Sequence, residues 1–436
     1  MSIRRLWRTS PASAPLEGSL AVPGDKSITH RALLIAALAE GRSLVTNANL
    51  GQDCRATAAG VNLLGAPTVV DEANHQVQVD GQGIGGLHEP EGIIDAGNSG
   101  TTMRTIAGVC AGIEGLSVVT GDASLLARPM LRVVAPLRQM GATVDGRAFG
   151  DRAPLCIRGG NLAGVDLELG VASAQVKTAV LLAGLQAAGP TSLIAPTSRD
   201  HTERMLTAAG ADLVIESNRV ELRPGGSLRE MTWEVPGDFS SAAFLVAAAA
   251  IVEDSDLTIS GVGLNPTRAG LLAVMSRMGA SIEVEVSGEH FGEPYGDVRV
   301  RHSALAGTTI EGAEVPGLID ELPVVAVLAA CAEGETVIRN AEELRVKESD
   351  RIAVMCEGLR ALGAECEPLP DGMRIRGPSP FEGAEVDSRG DHRAAMSFAV
   401  AGLRAERPVV VKGWSSVATS FPEFLDLLGR AQGRYA

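Results

Sequence analysis

A short string ending in Gly-Ala closes one segment after another along this 436-residue chain: "LLGA" at Ala66, "RQMGA" at Ala142, "TAAGA" at Ala211, "SRMGA" at Ala280 and "RALGA" at Ala364. The glycines, at 65, 141, 210, 279 and 363, stand 76, 69, 69 and 84 residues apart. Self-similarity on that scale marks a repeat architecture. Each glycine follows a helix-like stretch, and glycine is the favoured residue just past a helix C-terminus. A partly alternating segment such as "SIEVEVSG" comes next and reads as strand and turn.

A second series runs in step with the first. Its members are "GDKSITHRALLIAALA", "GNSGTTMRTIAGVCAG", "SAQVKTAVLLAGL", "GDFSSAAFLVAAAA", "LIDELPVVAVLAACA" and "GDHRAAMSFAVAGL", starting near residues 26, 99, 173, 239, 320 and 391. Each opens on small polar or charged residues, which suit helix N-caps, and continues apolar on every face, which suits burial. Six β/α units are therefore expected, each with one buried helix and one amphipathic helix that ends at Gly-Ala. At this length two domains are expected, with three units in each. The fold class is α/β: two similar domains with parallel buried helices inside and sheets outside. Parallel helices align their N-termini, and aligned N-termini attract anions.

Composition narrows the function. The net charge of −15 excludes non-specific binding to nucleic acid or a membrane surface, so an anionic ligand needs a local basic cluster. The six cysteines are scattered, with no C-x-x-C pair, and read as buried free thiols in a reducing compartment. The seven histidines show no H-x-x-x-H spacing, so no metal is expected. The longest apolar run, Ala242 to Val252, is too short to span a bilayer. The start, "MSIRRLWRTSPAS", has no apolar core, so no signal peptide is expected and a cytoplasmic location is.

Polar and charged residues collect at the starts of the buried helices: Lys26, Ser27 and Arg31; Asn98, Ser99, Thr101 and Arg104; Ser173, Gln175 and Lys177; Asp320 and Glu321; Asp391, His392 and Arg393. The loops "GDASLLARPM", with Arg128, and "RVKESDR" add more. Taken singly, an Asp or Ser at such a place is most often a cap, and an Arg an ordinary surface charge. Taken together, cations at helix starts oppose the dipole and call for a compensating anion. Five cations (Lys26, Arg31, Arg128, Arg351, Arg393) with Asp320, Glu348 and Asp53 imply small, doubly anionic substrates and acid–base chemistry. A nucleotide loop does not fit, because Asp25 separates Gly24 from Lys26 and the G-x-x-x-x-G-K-[ST] spacing fails.

The strings "PGDKSITHR", "GNSGTTMR", "TGDASLLARPM", "SAQVKTAVLLAGL", "RVKESDR", "GDHRAAMSFAVAGL" and "SFPEF" together resemble the 5-enolpyruvylshikimate-3-phosphate synthase family over essentially the whole length. The resemblance implies two inverse α/β domains, each of three βαβαββ repeats, closing on the substrates. It places residues 1–24 with 238–436 in one discontinuous domain and 25–237 in an inserted one. The activity implied is transfer of enolpyruvyl from phosphoenolpyruvate to the 5-hydroxyl of shikimate 3-phosphate, with release of phosphate through a tetrahedral intermediate. No cofactor, no nucleic acid and no membrane are implied, and a monomer is expected.

Carried over motif by motif, shikimate 3-phosphate would meet Lys26, Ser27, Arg31, Ser173, Ala174, Gln175, Arg199, Asp320 and Lys347. Phosphoenolpyruvate would meet Lys26, Asn98, Gly100, Arg128, Gln175, Arg351 and Arg393. Asp320 would accept the proton of the attacking hydroxyl, with Glu348 and Lys26 serving proton traffic at the methylene carbon and the leaving phosphate. There are departures. Thr419 stands where some members carry a lysine, and "SAQ" replaces "SSQ". "RDHTE" and "NPTR" resemble the class II branch associated with glyphosate tolerance, whereas Gly100 stands where tolerant members carry alanine. The rival is the sister transferase acting on UDP-N-acetylglucosamine, whose reactive cysteine is missing from "GDASLLARPM". A non-catalytic anion binder of the same fold would have lost Asp320 or Glu348, and both are present.

Overall fold

The computed structural model describes residues 6–434; the first five residues of the basic N-terminal string lie outside them. Among the described residues, six helices are buried throughout or at all but one or two positions: α1 (Lys26–Leu38), α2 (Gly100–Gly112), α3 (Ala174–Gly184), α4 (Phe239–Ile251), α5 (Leu322–Cys331) and α6 (His392–Gly402). They are the six Ala-rich segments of the second series. In α4 every residue is buried, so the core is built from alanine, valine and leucine with few rings. Gly108 shows how tightly such helices pack: a Cβ there would sit 2.1 Å from the Ala179 carbonyl oxygen of α3.

Each Gly-Ala string ends a more exposed helix. Gly65, Gly141, Gly210, Gly279 and Gly363 all have φ between +90° and +107°, the left-handed turn that glycine adopts without strain. Strands complete each unit. Ile94–Asp95, Gly115–Thr120, Arg152–Gly159 and Thr143–Arg147 lie side by side in that order, the first pair parallel and the others antiparallel. The same order recurs in Asp166–Glu168, Thr191–Ile194, Arg219–Arg223 and Asp212–Glu216. It recurs again in Thr309–Ile310, Gly334–Ile338, Gly372–Gly377 and Glu365–Leu369. Two other sheets take their parallel strand from far along the chain: Leu228–Arg229 and Thr232–Glu234 join Ala39–Thr46, and Glu17–Ala21 joins Asp256–Gly263.

The described residues fall into two compact units. One, the discontinuous unit, takes those within Met1–Pro23, Pro236–Gly288 and Pro294–Ala436; the inserted unit takes Gly24–Val235 with Glu289–Glu293. That last segment is the tip of the hairpin formed by Ser281–His290 and Glu293–Arg301. Nothing in the sequence indicated it: there the buried Glu293 carboxylate accepts from His201 Nδ1 at 2.8 Å. All six cysteines are free, but only four are buried: Cys156 is exposed, because it faces outward on its strand, and Cys331, the last residue of α5, is half-buried. No helix among the described residues is long and apolar enough to cross a membrane.

Candidate active site

The starts of the buried helices carry the polar residues, and the caps sort them. Asp25 accepts from the Ile28 amide at 2.9 Å, Ser99 from Thr102 at 3.0 Å and Ser173 from Val176 at 3.4 Å. Asp238 accepts from Ser240 at 3.1 Å and Asp391 from Arg393 at 2.9 Å. Five of the six starts are thus capped by an Asp or Ser, as helix termini require. At α5 the pattern breaks. Its N-cap residue, Glu321, makes no capping bond, and the acids there are engaged with arginines instead.

In the inserted unit the starts of α1, α2 and α3 and the loop after Thr120 hold most of the predicted residues. Lys26 pairs with Asp53 at 3.0 Å, in a mostly buried contact. Arg31 is buried; its Nε donates to Thr202, its Nη1 to the Ser27 carbonyl and its Nη2 to Thr178, at 2.8, 2.8 and 2.9 Å. One guanidinium therefore ties α1 to α3 and to the helix His201–Ala209. Desolvation pushes Arg31 down to about 10, the Arg199 charge adds to this, and Glu203, Asp25 and Glu293 oppose it. A cation held against its own desolvation beside a second cation is a place for an anion.

Arg128 Nη2 donates to Asn98 Oδ1 at 2.8 Å, and Asn98 Nδ2 to Asp122 at 2.7 Å. Gln175 bridges α3 to α2: its Nε2 donates to Thr101 at 2.9 Å, and its Oε1 accepts from Arg104 at 2.7 Å. A Cβ on Gly100 would lie 3.0 Å from Arg104 Nη1 and 3.1 Å from Arg128 Nη1, so both guanidiniums converge on this helix start. Ala174 is the first residue of its helix, where only the backbone has donors to offer. Arg104 and Arg128 are buried, so neither is an ordinary surface charge.

In the discontinuous unit the acids dominate. Arg351, fully buried at the start of the helix Arg351–Ala361, meets Asp391 at 2.8 Å, Asp320 at 3.3 Å, and Glu348 in a very short contact. Desolvation alone would lower Arg351, but Asp391, Glu348 and Asp320 outweigh it and hold it above its ordinary value. Arg393 Nη2 lies 3.6 Å from Asp320 Oδ2, and its Nη1 donates to the Asp320 carbonyl at 3.2 Å. Lys347 lies 3.7 Å from Glu343; desolvation lowers its pKa, and Asp320 and Glu343 oppose this. Thr419 is turned into its own 3-10 turn, donating to the Ser416 carbonyl at 2.7 Å.

Residues outside the carried-over list belong to these clusters too, among them Arg104, Glu321, Asp391 and Arg268. The first three stood at helix starts and were visible as such. Arg268 was legible only as part of the string "NPTR". No group of His, Cys, Asp and Glu among the described residues is arranged to hold a metal ion.

The family model for EPSP synthase (3-phosphoshikimate 1-carboxyvinyltransferase) matches residues 11–428. The 3-phosphoshikimate 1-carboxyvinyltransferase of Roseiflexus sp. is 51% identical over 424 residues, 96% of this chain and 98% of that one. That of Gloeobacter violaceus is 52% identical over 419 residues, 96% and 97% of the two chains. Among solved structures, EPSP synthase from Acinetobacter baumannii superposes with a TM-score of 0.87 at 43% identity, covering 98% of both chains. The enolpyruvyl transferase NikO from Streptomyces tendae, at 18% identity and a TM-score of 0.79, shares the fold.

Proposed function

The chain belongs to the EPSP synthase family, and on that footing we propose how its own residues carry the reaction. Its activity is that of a 3-phosphoshikimate 1-carboxyvinyltransferase: the enolpyruvyl group of phosphoenolpyruvate passes to the 5-hydroxyl of shikimate 3-phosphate, and phosphate leaves.

In our reading, Asp320 takes the proton of the attacking hydroxyl as its oxygen bonds to the central carbon of phosphoenolpyruvate. The methylene carbon receives a proton in the same step, from Glu348 or Lys26, giving a tetrahedral phospho-ketal. Loss of that proton and of the phosphate then restores the double bond. Lys26, Asn98, Gly100, Arg128, Gln175, Arg351 and Arg393 hold phosphoenolpyruvate, whose carboxylate and phosphate flank a carbon that becomes electron-poor. Preorganised cations there stabilise the charge that the transition state develops. Lys26, Ser27, Arg31, Ser173, Ala174, Gln175, Arg199, Asp320 and Lys347 hold shikimate 3-phosphate.

The observation that carries the role of Asp320 is the uncapped start of α5. Its carboxylate is spent on the cations Arg351 and Arg393 and keeps 16% side-chain exposure, while their side chains keep 1% and 7%. An anionic substrate competes with Asp320 and Glu348 for those guanidinium donors and releases a carboxylate to accept a proton. Asp391 is fully buried and stays as the permanent counter-charge of Arg351. The class II assignment rests on "RDHTE" and "NPTR", and a cytoplasmic location fits six unlinked thiols. The test is phosphate release from phosphoenolpyruvate, which is expected with shikimate 3-phosphate. Release with UDP-N-acetylglucosamine and none with shikimate 3-phosphate would overturn the reading.

A further inference from the structure

Arg268 is almost wholly buried, next to the start of α4 and the residues that lead into α5. Its Nη2 donates to Ser240 Oγ at 2.6 Å and to Asp238 Oδ1 at 3.2 Å. Its Nη1 lies 3.5 Å from Glu321 Oε1 and 3.9 Å from Asp320 Oδ2. Ser240 Oγ in turn donates to Glu321 in a very short bond. The backbone that presents this arginine is itself fixed, because Asn265 Oδ1 accepts from the Thr267 amide at 2.8 Å and from its hydroxyl at 2.7 Å.

A buried guanidinium needs paired charge to offset its desolvation. Asp238 and Glu321 meet that need, both almost fully buried. Asp320 is a third carboxylate on the same fork, and it is the one that retains exposure. Glu321, drawn to Arg268 and Ser240, gives α5 no side-chain cap, and the Leu322 amide donates to the Leu318 carbonyl at 3.1 Å instead. The two acids are therefore turned by long-range partners and not by their own helix.

We propose that Arg268 is a positioning residue for the proton-accepting Asp320. Its guanidinium spans the start of α4 and the Asp320–Glu321 pair and fixes where the Asp320 carboxylate stands relative to the substrate hydroxyl. This inference rests on the reading of Asp320 as the base. A misplacement of about 1 Å at a reacting group costs on the order of a hundredfold in rate. Lysine keeps the charge but has one nitrogen, which cannot reach the Ser240–Asp238 side and the Glu321–Asp320 side together.

The experiment compares Arg268→Lys, Ser240→Ala and Asp320→Ala with the parent enzyme in kcat, both KM values, shikimate 3-phosphate binding and thermal midpoint. Arg268→Lys is expected to lose about 10- to 100-fold in kcat. Both KM values and shikimate 3-phosphate binding should stay within about threefold, with a thermal midpoint that falls but leaves the variant folded at the assay temperature. Ser240→Ala is expected to show the same split at smaller size, and it carries the test alone if Arg268→Lys does not fold. Parent-like kcat in the variant under test overturns the inference. So does a joint fall of kcat, binding and thermal midpoint, which means a structural role. An active Asp320→Ala withdraws the base itself. An inactive Asp320→Ala beside a parent-like Arg268→Lys withdraws only the role of Arg268.

Discussion

The two units repeat one architecture but decorate their buried helix starts with opposite charge. In the inserted unit, Lys26, Arg31, Arg104 and Arg128 gather over α1 and α2, and their caps are Asp25 and Ser99. In the discontinuous unit, Asp320, Glu321, Glu348 and Asp391 gather around Arg268, Arg351 and Arg393. The first set suits holding anions, and the second suits moving a proton. The same residue type therefore means different things at equivalent places. Asp25 completes its helix, whereas Asp320 stands at a start whose cap goes unused.

Substitutions can break this contrast. The largest effect is expected from Asp320→Ala, which should lose about 10²- to 10⁴-fold in kcat with shikimate 3-phosphate binding retained. Steady-state kinetics with a binding titration checks it, and an active variant removes the proposed base. Next comes Arg128→Ala on the cation-rich side. Loss of a charged hydrogen-bond donor should raise the KM for phosphoenolpyruvate about 10- to 100-fold, with a smaller change in kcat. An equal loss in kcat alone would shift Arg128 from holding the substrate to acting in the transition state. The smallest is Asp25→Ala, which removes a cap and should lower stability by about 1 kcal/mol in a denaturant titration. Asp320→Ala removes no capping bond, and any loss of stability there comes from the partner it takes from Arg351 and Arg393.

Much of the candidate site was legible because its residues sit where the pattern breaks. A polar or charged residue at the head of an all-apolar helix is conspicuous, so Lys26, Arg31, Gln175, Asp320 and Arg393 could be picked out in the sequence. Arg104 was visible too but read like a surface charge, and only its burial against Gln175 and the Pro129 carbonyl removes that reading. Lys177 at the start of α3 proves to be a buried pair with Glu203 at 2.5 Å, a contact that no local pattern announces. The hairpin tip Glu289–Glu293 is likewise silent in the sequence, since its strands alternate like those of any exposed hairpin.

The sequence by itself determined the period, the two kinds of helix in each repeat and the glycines that end the exposed ones. It also determined which residues could serve as caps. These are short-range matters: a cap and its amide are two or three residues apart, and a turn is set by one φ. Only the tertiary structure decided which acids cap and which do not. Arg268 reaches Glu321 across 53 residues and Arg351 reaches Asp391 across 40, so the fate of each carboxylate depends on packing that brings distant helix starts together. A buried guanidinium takes whichever carboxylates the fold leaves beside it, because leaving it unpaired costs more than leaving one helix uncapped.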